Sequence, residues 1–366
     1  MNGITRRELM RWLLAWGLGA TGAGTLLSSI SCSSEATPAP ALPPTKPLVV
    51  STLTPTLQPT STASPIPTAE PAPVVQSTPT SEPATVVRST PTPRPGDAYL
   101  AVARGESPAA MVQAALKALG GIERFVKPGH DVIIKPNICV AYHSYEYAAT
   151  TNPEVVATLV GLCLGAGARR VRVMDLPFGG TPQEAYTRSG IAEAVQAAGG
   201  QMEVMARMKY QDVAIPNGRD ITRWPVYHDV LAADVLIDVP IAKHHNLARL
   251  TLGMKNLMGV VLERSSLHRN LGQRLADLTS LVRPTLTVVD AVRILTNHGP
   301  TGGSLDDVKL TNTVIASHDI VAADAYAATL FGLTGADIPA IRAGADMSLG
   351  AMDLRRVKVE EINVGG

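Results

Sequence analysis

Residues 97–366 predict an α/β fold: a largely parallel sheet with helices on both faces. Three observations carry this expectation. Short apolar runs (Asp131–Ile134, Val171–Met174, Asp234–Val239, Thr285–Val289 and Val314–Ala316) alternate with longer stretches of helical spacing. The runs are apolar at nearly every position, as expected of strands buried on both faces. Helix starts are marked by a capping residue followed by proline, at Ser107-Pro108 and Asn152-Pro153.

In chain order, Tyr99–Ala103 reads as the first strand. Met111, Ala115, Leu116 and Leu119 lie at helical spacing, and Gly120-Gly121 ends that helix. Pro128-Gly129 turns the chain into the strand 131–134, which ends at Lys135-Pro136-Asn137. The helix after Asn152-Pro153 runs through Val155, Val156, Leu159, Val160 and Leu164 to Gly165-Ala166-Gly167, and Val171–Met174 completes a strand–helix–strand unit. Residues 182–199 read as helical with a break at Gly190; 202–227 is a mixed stretch with short strands. His228–Ala233 is a helical turn or two before the strand Asp234–Val239. A helix over Arg269–Leu281 is stopped by Pro284, and the strand after it stops at Asp290. A turn-rich loop, 297–303, precedes Val314–Ala316, which leads to Ser317-His318-Asp319. The helix Ile320–Phe331, a further helix and an edge strand at Val357–Val364 close the chain.

The first 96 residues are a different kind of polymer. Residues 1–35 read as an export signal of twin-arginine type, with Arg6-Arg7 ahead of a weakly apolar run from Trp12 to Leu27 that Gly17, Gly19, Gly22 and Gly24 interrupt. Ser29-Ile30-Ser31-Cys32 predicts lipidation at Cys32. Residues 36–96 hold 16 prolines, 13 threonines and 6 serines with five charges, too little apolar surface to offset chain entropy, so a disordered stalk is expected. The expectation is an exported, extracytoplasmic protein held at a membrane by an N-terminal lipid anchor.

Composition excludes several classes. Lys and Arg (32) nearly balance Asp and Glu (31), and no basic stripe points to nucleic acid. The three cysteines, Cys32, Cys139 and Cys163, form no Cys-x-x-Cys pair, which argues against a cysteine-ligated zinc or iron–sulfur site. Cys163 reads as a core thiol. No Gly-x-Ser-x-Gly, phosphate-binding loop or Gly-x-Gly-x-x-Gly follows a strand.

Chemistry gathers where strands end: Lys135 and Asn137; Asp175; Lys243, His244 and His245; Asp290; His318 and Asp319. A parallel sheet brings such ends to one edge, where ligands of open α/β sheets bind. Lys243, His245, Lys255 and Asn256 are the leading candidates, and Gly259 after Lys255-Asn256 allows close backbone approach. His244 is expected to face the other way. Lys135 has an alternative role in a salt bridge to a strand-end aspartate, and Asn137 one in capping a turn. Asp290 and Asp324 interrupt apolar sequence and are expected to orient the lysines. Several lysines on one cleft favour an anionic ligand, and a desolvated lysine can also act as base or Schiff-base nucleophile. His245 and His268 are weak candidates for a divalent metal, without ligand spacing to support them.

These motifs in this order resemble the DUF362 family: Lys135-Pro136-Asn137, Thr151-Asn152-Pro153, Pro240–His245, Leu252–Gly259 with its Lys255-Asn256, Ala276-Asp277-Leu278, Val288-Val289-Asp290, Gly299–Gly303, and Asp319–Asp324 in the form Asp-x-x-Ala-x-Asp. The resemblance covers most of 97–345. It implies a shared site at Lys135, Lys243, His245, Lys255, Asn256, Asp290 and Asp324. Many relatives carry ferredoxin-like iron–sulfur segments tied to redox metabolism; this chain lacks their cysteines. The favoured expectation is an enzyme, metal-assisted or not, acting on a small anionic substrate. In it Lys255 and Asp290 share the catalytic work with His245, while Lys135, Asn137, Lys243, Asn256 and Asp324 bind. The alternatives are a non-catalytic binding protein or cofactor carrier, and a cell-surface interaction module.

Overall fold

The computed structural model describes residues 96–365; the expected signal, Cys32 and stalk lie outside the described residues, apart from Gly96. β1 (Leu100–Arg104) leads into α1 (Pro108–Ala118), where Ser107 accepts the Ala110 N–H and proline opens the first turn. β2 (Asp131–Pro136) is followed by α2 (Pro153–Gly165), capped by Asn152, and β3 (Arg170–Val173). Gly190, at φ 77°, divides the next helical stretch into α3 (Pro182–Arg188) and α4 (Ile191–Ala197), as the sequence predicts. β4 (Gln201–Met202) ends this half, and β5 (Tyr210–Ala214) and β6 (Arg223–Tyr227) form a separate antiparallel pair.

Next come α5 (His228–Ala232), β7 (Val235–Val239), β8 (Ile241–His245), β9 (Arg249–Thr251) and two single turns, α6 (Gly253–Asn256) and α7 (Arg264–Leu267). α8 (Leu271–Val282), β10 (Leu286–Leu295), β11 (Val308–Ser317), α9 (Ile320–Thr329), α10 (Pro339–Asp346) and β12 (Val359–Asn363) complete the described chain. Among the described residues no helix is long and apolar enough to cross a membrane.

The main sheet runs β12-β1-β11-β10-β7-β2-β3-β4, with β8 joined to β10 and β9 to β8. Most pairings are parallel; β11 runs antiparallel to β1 and β10, and β9 to β8. Strand alternation divides the core in two. Ile133, Leu236, Val289 and Ile315 pack on one face with α8, α9 and α10. Val132, Ile134, Ile237 and Val288 pack on the other with α1, α2 and α4. Each aliphatic side chain so buried contributes roughly 1.5–3 kcal/mol, which is why the strands lack polar alternation. Cys163 sits in the second cluster as a free core thiol, its pKa pushed up to about 12 by burial.

Three local expectations are corrected. The chain does not leave the sheet at Val239. Proline has no N–H for the ladder, so Pro240 interrupts one strand, which resumes as β8 and lengthens the sheet beside β10. Asp290 is not a strand end, because β10 continues to Leu295 with an irregularity after Ala291. His318 and Asp319 do not join the other strand ends. β11 returns antiparallel: Ser317 lies opposite Thr287 near the start of β10, in a row that runs through Asp238 to Lys135, but His318 and Asp319 continue back along the sheet and meet Tyr99 and the Ala351 N–H instead of the lysines.

Candidate functional site

β2 and β7 are paired in register, and each changes from apolar to polar as it reaches the sheet's carboxyl edge. Lys135 stands beside Asp238 across this pair. Both side chains are almost wholly buried. The Lys135 amine is 2.8 Å from Asp175 Oδ1 and donates to Asn256 Oδ1 and to the Pro136 carbonyl, each at 2.8 Å. Asp175 also accepts the N–H groups of Ile138 (2.6 Å) and Leu176 (2.9 Å). The salt bridge expected as the alternative role of Lys135 is therefore present. Gly259 covers it: a Cβ there would stand 1.9 Å from Asp175 Oδ1 and 2.6 Å from the Lys135 amine, so only glycine fits.

Beyond β2, Asn137 carries polar contact over the strand end rather than capping a turn. Its side-chain amide donates to Asn256 Oδ1 at 2.9 Å, and its Oδ1 accepts from the Lys243 amine at 3.0 Å. Lys243 donates also to the Ala149 carbonyl at 2.6 Å. Lys135, Asn137 and Cys139 follow at every second position, and the Cys139 thiol reaches the electrostatic field of Lys243 and Lys255. Burial nevertheless pushes its pKa up. Asn256 closes the network, donating to the Lys135 carbonyl at 3.2 Å and to Asp238 Oδ1 at 2.8 Å. The other Asp238 oxygen is buried without a hydrogen-bond partner, and desolvation raises this carboxyl well above its ordinary range.

The α6 turn carries Lys255 and Asn256. Asp324, from α9, accepts the N–H groups of Gly253 (2.6 Å) and Met254 (2.9 Å) at its start. Asp324 thus positions the turn through its backbone rather than by pairing with a lysine; burial raises its pKa to about 7. Asp290 is set apart. It shares a face with Val288, opposite to Val289, and its oxygens accept the N–H groups of Asn152 (2.7 Å) and Val292 (3.0 Å). Burial raises its pKa to about 6, and no lysine pairs with it.

Lys255 differs from its neighbours. Among the described residues its amine has neither a hydrogen-bond acceptor nor an ion-pair partner, and it is only partly buried. Desolvation, then repulsion from Lys243, Arg264 and Lys135, lowers its pKa to about 7. Arg264 is occupied by the carbonyls of Leu176 (2.7 Å) and Pro177 (3.2 Å). His245, on β8 with Lys243, accepts the N–H groups of Leu247 (3.1 Å) and Ala248 (3.3 Å) at Nδ1, leaving Nε2 to carry the proton. Burial, Lys255 and Lys243 lower its pKa to about 3. His268 is exposed, with Nδ1 3.3 Å from the Ser265 carbonyl; desolvation and then Lys255 lower its pKa. His244 faces away as expected, accepting the Gly299 N–H at 3.1 Å.

The donor set does not fit a divalent metal. Among the described residues no three His, Cys, Asp or Glu side chains gather to bind one, and His245 and His268 share their surroundings with Lys255. The arrangement suits an anion. Sequence reasoning missed Asp238, Cys139, Arg264 and Thr251. The first was visible as the one carboxylate inside Val235–Val239, and the second through its alternation with Lys135 and Asn137. A separate cavity of about 810 Å³, lined by Glu106, Asn152, Glu154 and Arg293 among others, shares no lining residue with the lysine cluster.

Fold and site together define an α/β protein with a cation-rich pocket at the carboxyl edge of its sheet. The profile of the DUF362 family (domain of unknown function) matches residues 132–329, more than half of the chain, and the protein belongs to this family. A thylakoid-associated protein of Synechocystis is 28% identical over 249 residues, 64% of this chain and 73% of that relative. Among solved structures, the lactate racemase apoprotein from Thermoanaerobacterium thermosaccharolyticum is similar at a TM-score of 0.40 and 12% identity, over 60% of this chain and 54% of that one. A Thermotoga maritima protein is similar at 0.40 and 12%, over 63% and 60%. The chain spans less than two thirds of either structural neighbour.

Proposed function

We propose that this protein is an enzyme acting on a small anionic substrate at the carboxyl edge of the sheet. The carrying observation is Lys255, an amine without an acceptor among Lys135, Lys243 and Arg264, each of which has two or three. Burying cations without counter-charge costs free energy that a bound carboxylate or phosphate returns. Lys255 and Lys243 hold the anion, with the Nε2–H of His245 as a third donor. Lys135, Asn137 and Asn256 hold the lysine-bearing segments in place, and Asp324 fixes the α6 turn. Asp290 serves the fold. On the N-terminal sequence, the enzyme works outside the cytoplasm, with Cys32 as its lipid anchor.

Calorimetric titration of the full chain with oxalate and with inorganic phosphate tests the site. Saturable binding that weakens at least tenfold in Lys255→Ala is expected. Binding that is absent, or indifferent to this substitution, overturns the proposal.

A further inference from the structure

Lys255 is more than a point of positive charge. Its turn is anchored at the start by Asp324 and at the end by the Asn256 side chain, whose contacts span β2 and β7. The amine thus projects from a backbone with little freedom to move. Lys135, Lys243 and Arg264 are held by acceptors, whereas the Lys255 amine is partly accessible and uncommitted. A second group lacks a partner: Thr251 Oγ1, on β9 directly opposite Lys243, is buried with no hydrogen bond at 3% exposure. A buried hydroxyl without an acceptor, on the same face of the β8–β9 pair as the Lys243 amine, is a donor that a carboxylate can satisfy.

Resting on the anion-binding reading, we infer that Lys255 is a nucleophile that forms an imine with the carbonyl carbon of a small oxo acid, whose carboxylate is held by Lys243, Thr251 and the Nε2–H of His245. In the step, the amine lone pair forms the C–N bond and the carbonyl π pair moves to oxygen, which takes up a proton. The nitrogen loses a proton to solvent. The resulting carbinolamine loses its oxygen as water, with a second proton taken from solvent, as the nitrogen lone pair completes the C=N bond. The net change is carbonyl plus neutral amine plus one proton giving the protonated imine plus water; no oxidant or reductant enters. Lys255 meets the requirement for attack, a neutral amine near pH 7, because its surroundings disfavour the ammonium. The cations that do so also draw the carboxylate in.

The test is reductive trapping. The full chain is incubated with pyruvate, or with acetone as an uncharged carbonyl, treated with cyanoborohydride and mapped by peptide mass spectrometry. The expected result is a near-stoichiometric carboxyethyl adduct on Lys255, formed at least tenfold faster than on any other lysine and at least tenfold faster than the acetone adduct. Lys255→Arg, checked for folding by its thermal transition, should lose the adduct with no compensating rise on any other lysine. Labelling spread over surface lysines, with Lys255 unmodified, overturns the inference. If oxalate still binds in that case, the anion site stands and only the imine fails; if oxalate does not bind, both fail. Lys255 labelled equally by acetone and pyruvate supports the nucleophile but overturns the oxo-acid assignment.

Discussion

Two charged clusters sit on the same sheet and behave in opposite ways. In the first, Asp131 at the head of β2 pairs with Arg170 (2.6 Å) and Arg172 (2.8 Å) of β3. Arg172 reaches on to Asp229 (2.6 Å) and Glu203 (3.1 Å), and Lys209 pairs with both of those acids. Three cations meet three carboxylates. The pairing outweighs burial: Asp131, Glu203 and Asp229 are held below their usual pKa, and Lys209 and Arg172 above theirs. In the second, Lys135, Lys243, Lys255 and Arg264 stand against one ion-paired carboxylate, Asp175, while Asp238 beside them is pushed towards its neutral form. Lys243 and Lys255 are both lowered, first by desolvation. A cluster complete in itself belongs to the fold; one that lacks counter-charge is finished by something that binds.

The largest expected effect breaks the balanced cluster. Arg172→Met removes the one buried cation that all three carboxylates share, leaving them the half-exposed Arg170 and Lys209, and should destabilise the domain by about 3–5 kcal/mol, read from chemical denaturation. A loss below about 1 kcal/mol would mean the network is a surface ornament and the contrast fails. Gly259→Ala strikes the one complete pair of the second cluster, since its methyl must displace Asp175 from Lys135. A loss of roughly 2–4 kcal/mol is expected, together with weakened oxalate binding as the lysine shelf shifts. Unchanged stability would show that the β2 edge can yield around the added carbon.

The sequence carried much of this. The α/β class, the cap-and-proline helix starts and the break at Gly190 follow from local patterns, and the structure has them. Lys135, Asn137, Lys243, His245, Lys255 and Asn256 were legible because polar residues after buried strands are costly without a purpose. Asp290, His318 and Asp319 were misplaced for one reason: residue type says nothing of strand direction or length. Reversing β11 sends His318 and Asp319 back along the sheet to Tyr99 and Ala351, and extending β10 leaves Asp290 in mid-strand, facing Asn152. Thr251 was beyond reach, because an unsatisfied hydroxyl becomes visible only when its surroundings are known.

Substituting Lys255 should have the opposite sign to substituting Arg172. With a pKa near 7 in the folded protein and 10.5 unfolded, the native state holds fewer protons than the unfolded state between those values. The cost of the ammonium is fully present below pH 7 and is relieved as pH rises towards 10.5. Lys255→Met removes it, so the variant should be more stable than the parent at pH 6, by about 1–2 kcal/mol after allowance for solvent screening. The advantage should shrink by pH 9.5. Of the groups facing this amine, Lys135, Lys243, Arg264, Cys139, His245 and His268, the two histidines lose the repulsion of Lys255 in the variant and shift upwards, so the comparison is read between about pH 7.5 and 9.5, above their range, where the difference in slope belongs to Lys255. A variant less stable than the parent at pH 6 would mean that the amine is compensated after all.

The smallest effect decides whether the charge imbalance serves binding. Inorganic phosphate should stabilise the parent at pH 6 in proportion to occupancy, by about 1.4 kcal/mol at roughly tenfold excess over its dissociation constant. Sodium chloride at matched ionic strength separates site occupancy from general screening, since screening acts on both clusters whereas occupancy acts on one. Lys255→Met should lose most of the phosphate increment, while Arg172→Met, weakened overall, should keep it. An increment equal in all three proteins would assign the effect to bulk ions and leave the second cluster with only the cost of its charge. An increment lost in Lys255→Met alone would tie that cost to ligand binding, because the residue that destabilises the empty domain is then the one the anion needs.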